Sequence, residues 1–216
     1  MSAADDGANQ TPRVFLASRN AKKLAEMRRI LVEHAPGVVV LGLDDVAPYT
    51  EPVEDQPTFA GNALLKARAA VAATGLPSLA DDSGLCVDAL NGMPGVLSAR
   101  WSGPPKDDDR NNLLLLAQLE DVPDERRSAH FTCAVAFAYP VGDGGVSEHV
   151  VEGRMDGWVI REVRGSGGFG YDVLFCSEGH EATTAELSVA EKDAISHRGK
   201  ALREIAPLVG DVLTGL

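Results

Sequence analysis

The chain is predicted to be an α/β protein with a mixed sheet, and three observations lead there. Short apolar runs of β character alternate with longer stretches whose apolar residues recur at helical spacing. Two neighbouring β-like runs are joined by a tight glycine turn, which adds antiparallel pairing to strands linked by helical crossovers. The helical stretches open or close on capping signals. In order, RVFLAS (13–18) is a first strand. KKLAEMRRILVEH (22–34) follows as a helix with Leu24, Met27 and Leu31 on one face, and VVVLGL (38–43) is a second strand. An acidic, proline-rich loop leads to TFAGNALLKARAAVAATG, Ala- and Leu-rich and stopped by Thr-Gly, hence a helix. LPSLA and LCVDAL then read as two short strands flanking a polar knot, Asp81-Asp82-Ser83-Gly84, and NGMPGVLSARWSGPP as a punctuated loop. Residues 106–120 are helical. AHFTCAVAFAYP and SEHVVEGRMDGWVI form a strand pair across the GDGG turn. RGSGGFGYDVLF is a glycine-rich loop running into a strand, and 188–209 is a single helix opened by a Ser188/Glu191 capping box.

With 216 residues, 44% apolar and 24% charged, the composition is that of an ordinary globular chain able to bury a core. A net charge of −12 argues against a nucleic-acid polymer or an anionic membrane surface as partner. No apolar run is long enough to span a bilayer. MSAADDGANQTP (1–12) lacks the apolar core of a signal peptide and is expected to be a disordered lead-in to one domain, 13–216. Cys86, Cys133 and Cys176 are odd in number and each lies in an apolar stretch, so they read as buried reduced thiols of a cytoplasmic protein.

Five segments carry chemistry that a core does not need. SRNAKK (18–23) sits at a strand-to-helix turn, where free N–H groups and Lys22 and Lys23 make a phosphate seat; a polar turn capped by Ser18 or Asn20 is the alternative. Asn62 and Lys66 share a helix face, as a solvated stripe also would. Glu51, Glu54, Asp55, Asp81 and Asp82 supply carboxylates from separate segments, the way a hard divalent cation such as Mg²⁺ is held; surface charge and a capped turn are the plainer readings. In GGFGYD (167–172) glycines permit close approach, and Phe169 or Tyr171 offers a face to a nucleobase, unless it is a core aromatic of a hairpin. EKDAISHRGKA (191–201) gathers Lys192, His197 and Arg198, with Asp193 placed to pair with His197. Cations beside glycine turns and acid clusters, in a negatively charged chain, fit a small phosphorylated substrate with a bound metal.

SRNAKKLAEMRRIL, TFAGNALLKARAA, LADDSGLCVDALNGMPGVLSARWSG, GGFGYDVLF and AELSVAEKDAISHRGKAL occur in family order over about residues 13–207. In them the chain resembles the noncanonical purine nucleoside triphosphate pyrophosphatases, enzymes that clear ITP, dITP and XTP from the nucleotide pool. The resemblance implies a strongly twisted mixed sheet with flanking helices in two lobes around a cleft, a homodimer, and Mg²⁺ as cofactor. It implies Asp82 as general base and metal ligand, with Glu54 as a second candidate ligand. It makes Ser18, Arg19, Asn20, Ala21, Lys22 and Lys23 the first nucleotide-binding turn, Lys66 a phosphate contact and Ser83 a substrate contact. Phe169, Gly170, Tyr171 and Asp172 would stack on and grip the base, while Lys192, His197 and Arg198 would bind the nucleotide and its 6-oxo group. Asp81 is then expected to fix the turn or support the metal ligand from behind.

Three positions depart from the family pattern. Arg19 stands where glycine is usual, which requires a negative φ. Glu54-Asp55-Gln56-Pro57 replaces the usual E-T-G, and Val173 replaces a frequent proline. The implied reaction is in-line attack of water on the α-phosphorus with loss of pyrophosphate. An aspartyl-phosphate hydrolase, a noncatalytic nucleotide-binding module and a pyrophosphatase for other modified nucleotides are the competing classes.

Overall fold

The structure is a computed structural model that describes residues 11–142 and 144–215. Its elements follow the predicted alternation: β1 Arg13–Leu16, α1 Ala21–His34, β2 Val39–Leu41, α2 Phe59–Thr74, β3 Ser78–Val87, β4 Met93–Pro94, α3 Asp108–Gln118, β5 Ser128–Val141, β6 Gly145–Val159, β7 Phe175–Ser177, α4 Val189–Ile195 and α5 His197–Gly215. Most of the predicted lead-in lies outside the described residues. Its last residue, Pro12, already joins the fold by accepting a hydrogen bond from Val39 N–H at 2.7 Å.

All seven strands form one mixed sheet in the order β2-β1-β3-β5-β6-β7, with β4 on the edge of β3. β1 pairs in parallel with β2 and β3, as strands joined by helical crossovers do, whereas β3, β5, β6 and β7 run antiparallel. The predicted β5–β6 hairpin spans the sheet, in register from Ser128↔Trp158 to Val141↔Gly145.

Alternation along the strands divides the core. Leu79, Cys133, Val135 and Phe137 face α1 and α5, where Met27, Leu31, Leu202 and Val209 complete one cluster. Ala80, Ala134, Ala136 and Ala138 face α2, whose Ala63, Ala67 and Ala70 let the helix lie close to the sheet. A third cluster, built on Leu85, Val87, Phe131, Leu115 and Phe175, fills the other end of the long strands under α3. The two ends correspond to the two expected lobes.

Two predicted elements are corrected. LPSLA and LCVDAL are not two strands around a knot. They are one strand, β3, paired residue by residue with β5 from Ser78↔Ala138 to Val87↔Ala129. Adjacent aspartates suggest a break because each disfavours a strand, but ten ladder partners on β5 override that local preference. The predicted single helix over 188–209 is two helices. The Ser188/Glu191 box is present, Ser188 N–H donating to Glu191 Oε2 at 2.9 Å. The chain then leaves helical geometry at Ser196, with φ −62° and ψ 148°, and α5 starts at His197.

Close backbone approach at two glycines brings distant segments against the sheet. A Cβ on Gly84 would stand 2.3 Å from Ser98 Oγ and 2.4 Å from the Gly95 carbonyl, so the 3₁₀ turn after β4 lies directly on β3. A Cβ on Gly153 of β6 would stand 2.0 Å from the His197 carbonyl, so the start of α5 rests on the sheet backbone.

Candidate active site

β1 stops before β3 does. Their pairing ends at Leu16↔Leu79, with Ala17 N–H donating to Leu79 C=O at 2.8 Å, and β4 reaches β3 only at Cys86. Between those points the edge of β3 is open, beyond the carboxyl end of a parallel strand, where α/β sheets place ligands. A cavity of about 310 Å³ fills that gap. Its lining includes Ser18, Arg19, Asn20, Lys23, Glu54, Lys66, Asp82, Ser83, Phe169–Asp172, Lys192, His197 and Arg198, so the structure brings together nearly all the residues singled out in the sequence.

The paired carboxylates are separated by the strand itself. Asp81 and Asp82 are successive residues of β3, so their side chains leave opposite faces of the sheet. Asp81, 2% exposed, points toward α1 and α5. Its Oδ2 accepts from Lys23 Nζ at 2.9 Å and from Arg198 Nε at 3.1 Å. Burial alone would raise its pKa, but Lys23, Arg198 and Lys66 more than offset that and hold it well below the usual carboxylate range. Asp81 is therefore the anchor of a buried ion network, not the fixer of a turn.

Asp82 faces α2. Its Oδ2 accepts from Asn62 Nδ2 at 2.9 Å and its Oδ1 from Ser83 N–H at 3.0 Å. Burial raises its pKa despite Lys66, Asn62 and Lys23, and Glu54 raises it further. Asn62, fully buried, also accepts from Gln56 N–H at 3.0 Å, which pins the departing Glu54–Pro57 loop to the same helix. Glu54 accepts from Lys66 Nζ at 2.6 Å, and Arg100 approaches its other oxygen at 3.8 Å. Burial would raise the Glu54 pKa, yet Lys66, Lys23 and Lys106 leave it below its usual value. Lys66 donates as well to the Asp81 carbonyl at 2.6 Å, and three carboxylates keep it protonated against the opposing effect of burial.

At the turn after β1, Asn20 is the cap of α1, its Oδ1 accepting from Lys22 N–H at 3.0 Å and Lys23 N–H at 3.1 Å. Ser18 Oγ accepts from Asn20 N–H at 3.3 Å, and Ala21 is the first helical residue. Arg19 avoids the positive-φ region and turns its side chain out to Glu51 at 2.9 Å, so its bulk leaves the seat open. Lys22 Nζ donates to the Gly168 carbonyl at 2.8 Å, tying this turn to the glycine-rich one.

The glycine-rich turn is clamped from both sides. Phe169 N–H donates to Asp172 Oδ2 at 2.8 Å, and Asp172 is in turn paired with Lys192. Gly170 N–H donates to Asp108 Oδ2 at 2.7 Å, and its carbonyl accepts from Asn112 Nδ2 at 3.0 Å. Phe169 lines the cavity half-buried, with Lys192 Nζ 5.1 Å and Arg198 Cζ 5.5 Å from its ring centroid. Tyr171 is buried and donates to the Ser98 carbonyl at 2.9 Å, so it belongs to the support and offers no stacking face.

Arg198 is committed as well. Besides Asp81 it donates to Glu26 Oε2 at 2.6 Å and Ser83 Oγ at 2.8 Å. His197 is buried and stacked on Phe131 at 4.8 Å. Burial, then Arg198 and Lys192, keeps its imidazole neutral. Its predicted partner, Asp193, is elsewhere: it accepts from Arg29 Nε at 2.6 Å.

Sequence reading passed over Glu26, Asp108 and Asn112. Glu26 looks like one more charge on an amphipathic helix, and only its 5% exposure marks it. The helical period could have placed Asn112 on the buried side of α3.

The description "Ham1 family" covers a family model that matches residues 14–208, the span that builds both the sheet and the cavity. The chain belongs to the Ham1 family. A relative from Nocardia farcinica, named dITP/XTP pyrophosphatase, is 60% identical over 90% of this chain and 93% of its own length. A solved structure titled nucleoside-triphosphatase, dITP/XTP pyrophosphatase, from Mycobacterium abscessus is similar with a TM-score of 0.73. It is 53% identical, and the match covers 90% of this chain and 99% of that one. The Staphylococcus aureus Ham1 protein gives a TM-score of 0.81 at 34% identity, covering 93% of this chain and 99% of its own.

Proposed function

We propose that this Ham1-family chain hydrolyses noncanonical purine nucleoside triphosphates (ITP, dITP, XTP) to the monophosphate and pyrophosphate. The observation that carries the reading is Asp82. It is a buried carboxylate with a raised pKa, oriented by Asn62 and Ser83 in a cavity that also gathers Lys23, Lys66, Lys192 and Arg198. Such a group is a better base than an exposed aspartate. It takes the proton from a water that attacks the α-phosphorus in line. The bond from that phosphorus to the bridging oxygen breaks, and pyrophosphate leaves with the electron pair.

Lys23, Lys66 and Lys192 stabilise the oxygens where negative charge builds, and the Ser18–Lys23 turn seats phosphate at the α1 N-terminus. Phe169 gives the base a flat face, and Gly170, Tyr171 and Asp172 hold that face in place. Neutral His197, with Arg198 beside it, favours a 6-oxo group over adenine's amino group, whose donors would leave the site's own donors unpaired.

The donor set fits Mg²⁺. Asp82 and Glu54 are hard oxygen ligands lining one cavity, and the Glu54 charge helps to raise the Asp82 pKa. Among the described residues no group of three or more His, Cys, Asp or Glu is placed to hold a metal, so Asp82 and Glu54 would hold the ion with oxygens of the substrate as further ligands. When bound, Mg²⁺ neutralises phosphate charge and lowers the pKa of a coordinated water. We further read residues 13–216 as one domain acting as a cytoplasmic homodimer. The three cysteines are free and buried, and no helix among the described residues is long and apolar enough to cross a membrane. A single-chain mass by light scattering refutes the dimer.

The deciding assay measures pyrophosphate release with Mg²⁺ from ITP, XTP, dITP, GTP and ATP, for the parent and for Asp82→Asn. Fast release from the 6-oxo purines, little from ATP and a loss of about 10²–10⁴ in kcat for the variant are expected. Orthophosphate as product sinks the mechanism, and tight ITP binding without turnover makes the chain a binding module.

A further inference from the structure

The cavity's cations are nearly all spoken for. Lys23, Lys66, Lys192, Arg19 and Arg198 each hold a carboxylate. Lys106 differs. It lines the same cavity, its side chain is exposed, and it makes no ion pair or side-chain hydrogen bond among the described residues. Its charge reaches Glu54, at the end of the cavity where Lys66 also sits.

The segment that carries Lys106 is held in place. Asp107 caps α3, its Oδ1 accepting from Arg110 N–H at 3.0 Å, and Asp108 holds Gly170 N–H. A lysine with a fixed root and a free ammonium, facing a site for a multiply charged anion, is a ready counter-charge.

We propose that Lys106 is a substrate-binding residue that grips the departing pyrophosphate portion of the triphosphate. This deepens the proposed pyrophosphatase reaction and rests on it. The cations already paired with protein carboxylates orient the site, while Lys106 adds positive charge that no ion pair among the described residues takes up. Its effect therefore falls on affinity for the polyphosphate and not on the monophosphate product.

The test compares the parent with Lys106→Met, Lys106→Glu and Lys106→Arg. It reads KM for ITP in turnover and the dissociation constants of pyrophosphate and IMP by calorimetry. Lys106→Met is expected to weaken ITP and pyrophosphate about fivefold, the size of an exposed charge-assisted contact. Lys106→Glu weakens them further, Lys106→Arg restores them, and IMP is unaffected throughout. Unchanged pyrophosphate and ITP constants in the Met and Glu variants overturn the proposal, as does equal weakening of IMP. A parent that releases no pyrophosphate overturns the reaction instead. Pyrophosphate binding by calorimetry needs no turnover and still decides the role of Lys106.

Discussion

Replacing each of the two neighbouring aspartates by asparagine is expected to give unequal results for stability. Asp81 is the shared counter-ion of Lys23, whose side chain is 15% exposed, and Arg198, 2% exposed. Removing one partner of a buried ion pair costs about 3–5 kcal/mol, because the other charge stays behind uncompensated. Asparagine keeps the shape and one acceptor, and Glu26 still serves Arg198, so a loss of about 2–4 kcal/mol is expected for Asp81→Asn. Asp82 differs: burial disfavours its ionised form, so removing the charge relieves a cost. Its two donors, Asn62 Nδ2 and Ser83 N–H, then meet an amide with one acceptor. The two effects oppose, and Asp82→Asn should stay within about 1 kcal/mol of the parent. Urea unfolding at pH 7 measures both. The pH dependence adds a sign. The folded pKa of Asp81 is depressed, so its stabilisation is present above its unfolded value of about 4 and is lost as pH falls toward the folded value. The folded pKa of Asp82 is raised, so its penalty appears as pH climbs past about 4 and is complete above the folded value. The gap between the parent and Asp81→Asn should therefore be constant from pH 7 to about 5 and close only in acid. Equal losses in the two variants, or a loss under about 1 kcal/mol for Asp81→Asn, refutes the assignment of the two faces.

Two other substitutions probe the same geometry. Gly153→Ala places a methyl 2.0 Å from the His197 carbonyl; α5 must shift, stability should fall by about 1–3 kcal/mol, and a melting temperature within 1–2 °C of the parent (roughly a few tenths of a kcal/mol) contradicts the close approach. Phe169→Ala removes the half-buried aromatic that the GGFGYD turn presents to the cavity. It should raise KM for ITP about tenfold with little change in melting temperature, in line with base–aromatic stacking; an unchanged KM in steady-state kinetics refutes the stacking role.

Much of this molecule was legible in its residues. Periodicity and capping signals located β1, α1, α2 and the β5–β6 hairpin because those elements are decided by neighbours a few positions apart. The capping box at Ser188 and the glycine stop at Gly75 (φ 69°) are of the same local kind. Most of the motif residues named from the sequence line a common cavity, Ala21 and Lys22 being outside its lining. What local reasoning could not reach was which partner each charge takes. DDSG looked like a break, yet ten ladder pairs with β5 draw it into a strand, and the two-residue period of that strand sends Asp81 and Asp82 to different faces. Glu26, 172 positions from Arg198, carries no local sign of their contact. The sequence by itself determined most of the elements and most of the chemically competent groups, since helical and strand periods and side-chain chemistry are properties of short stretches. Only the tertiary structure decided which carboxylate is a buried counter-ion, which is raised and open to the cavity, and which cation is left free, because burial and charge pairing depend on residues far apart in the chain.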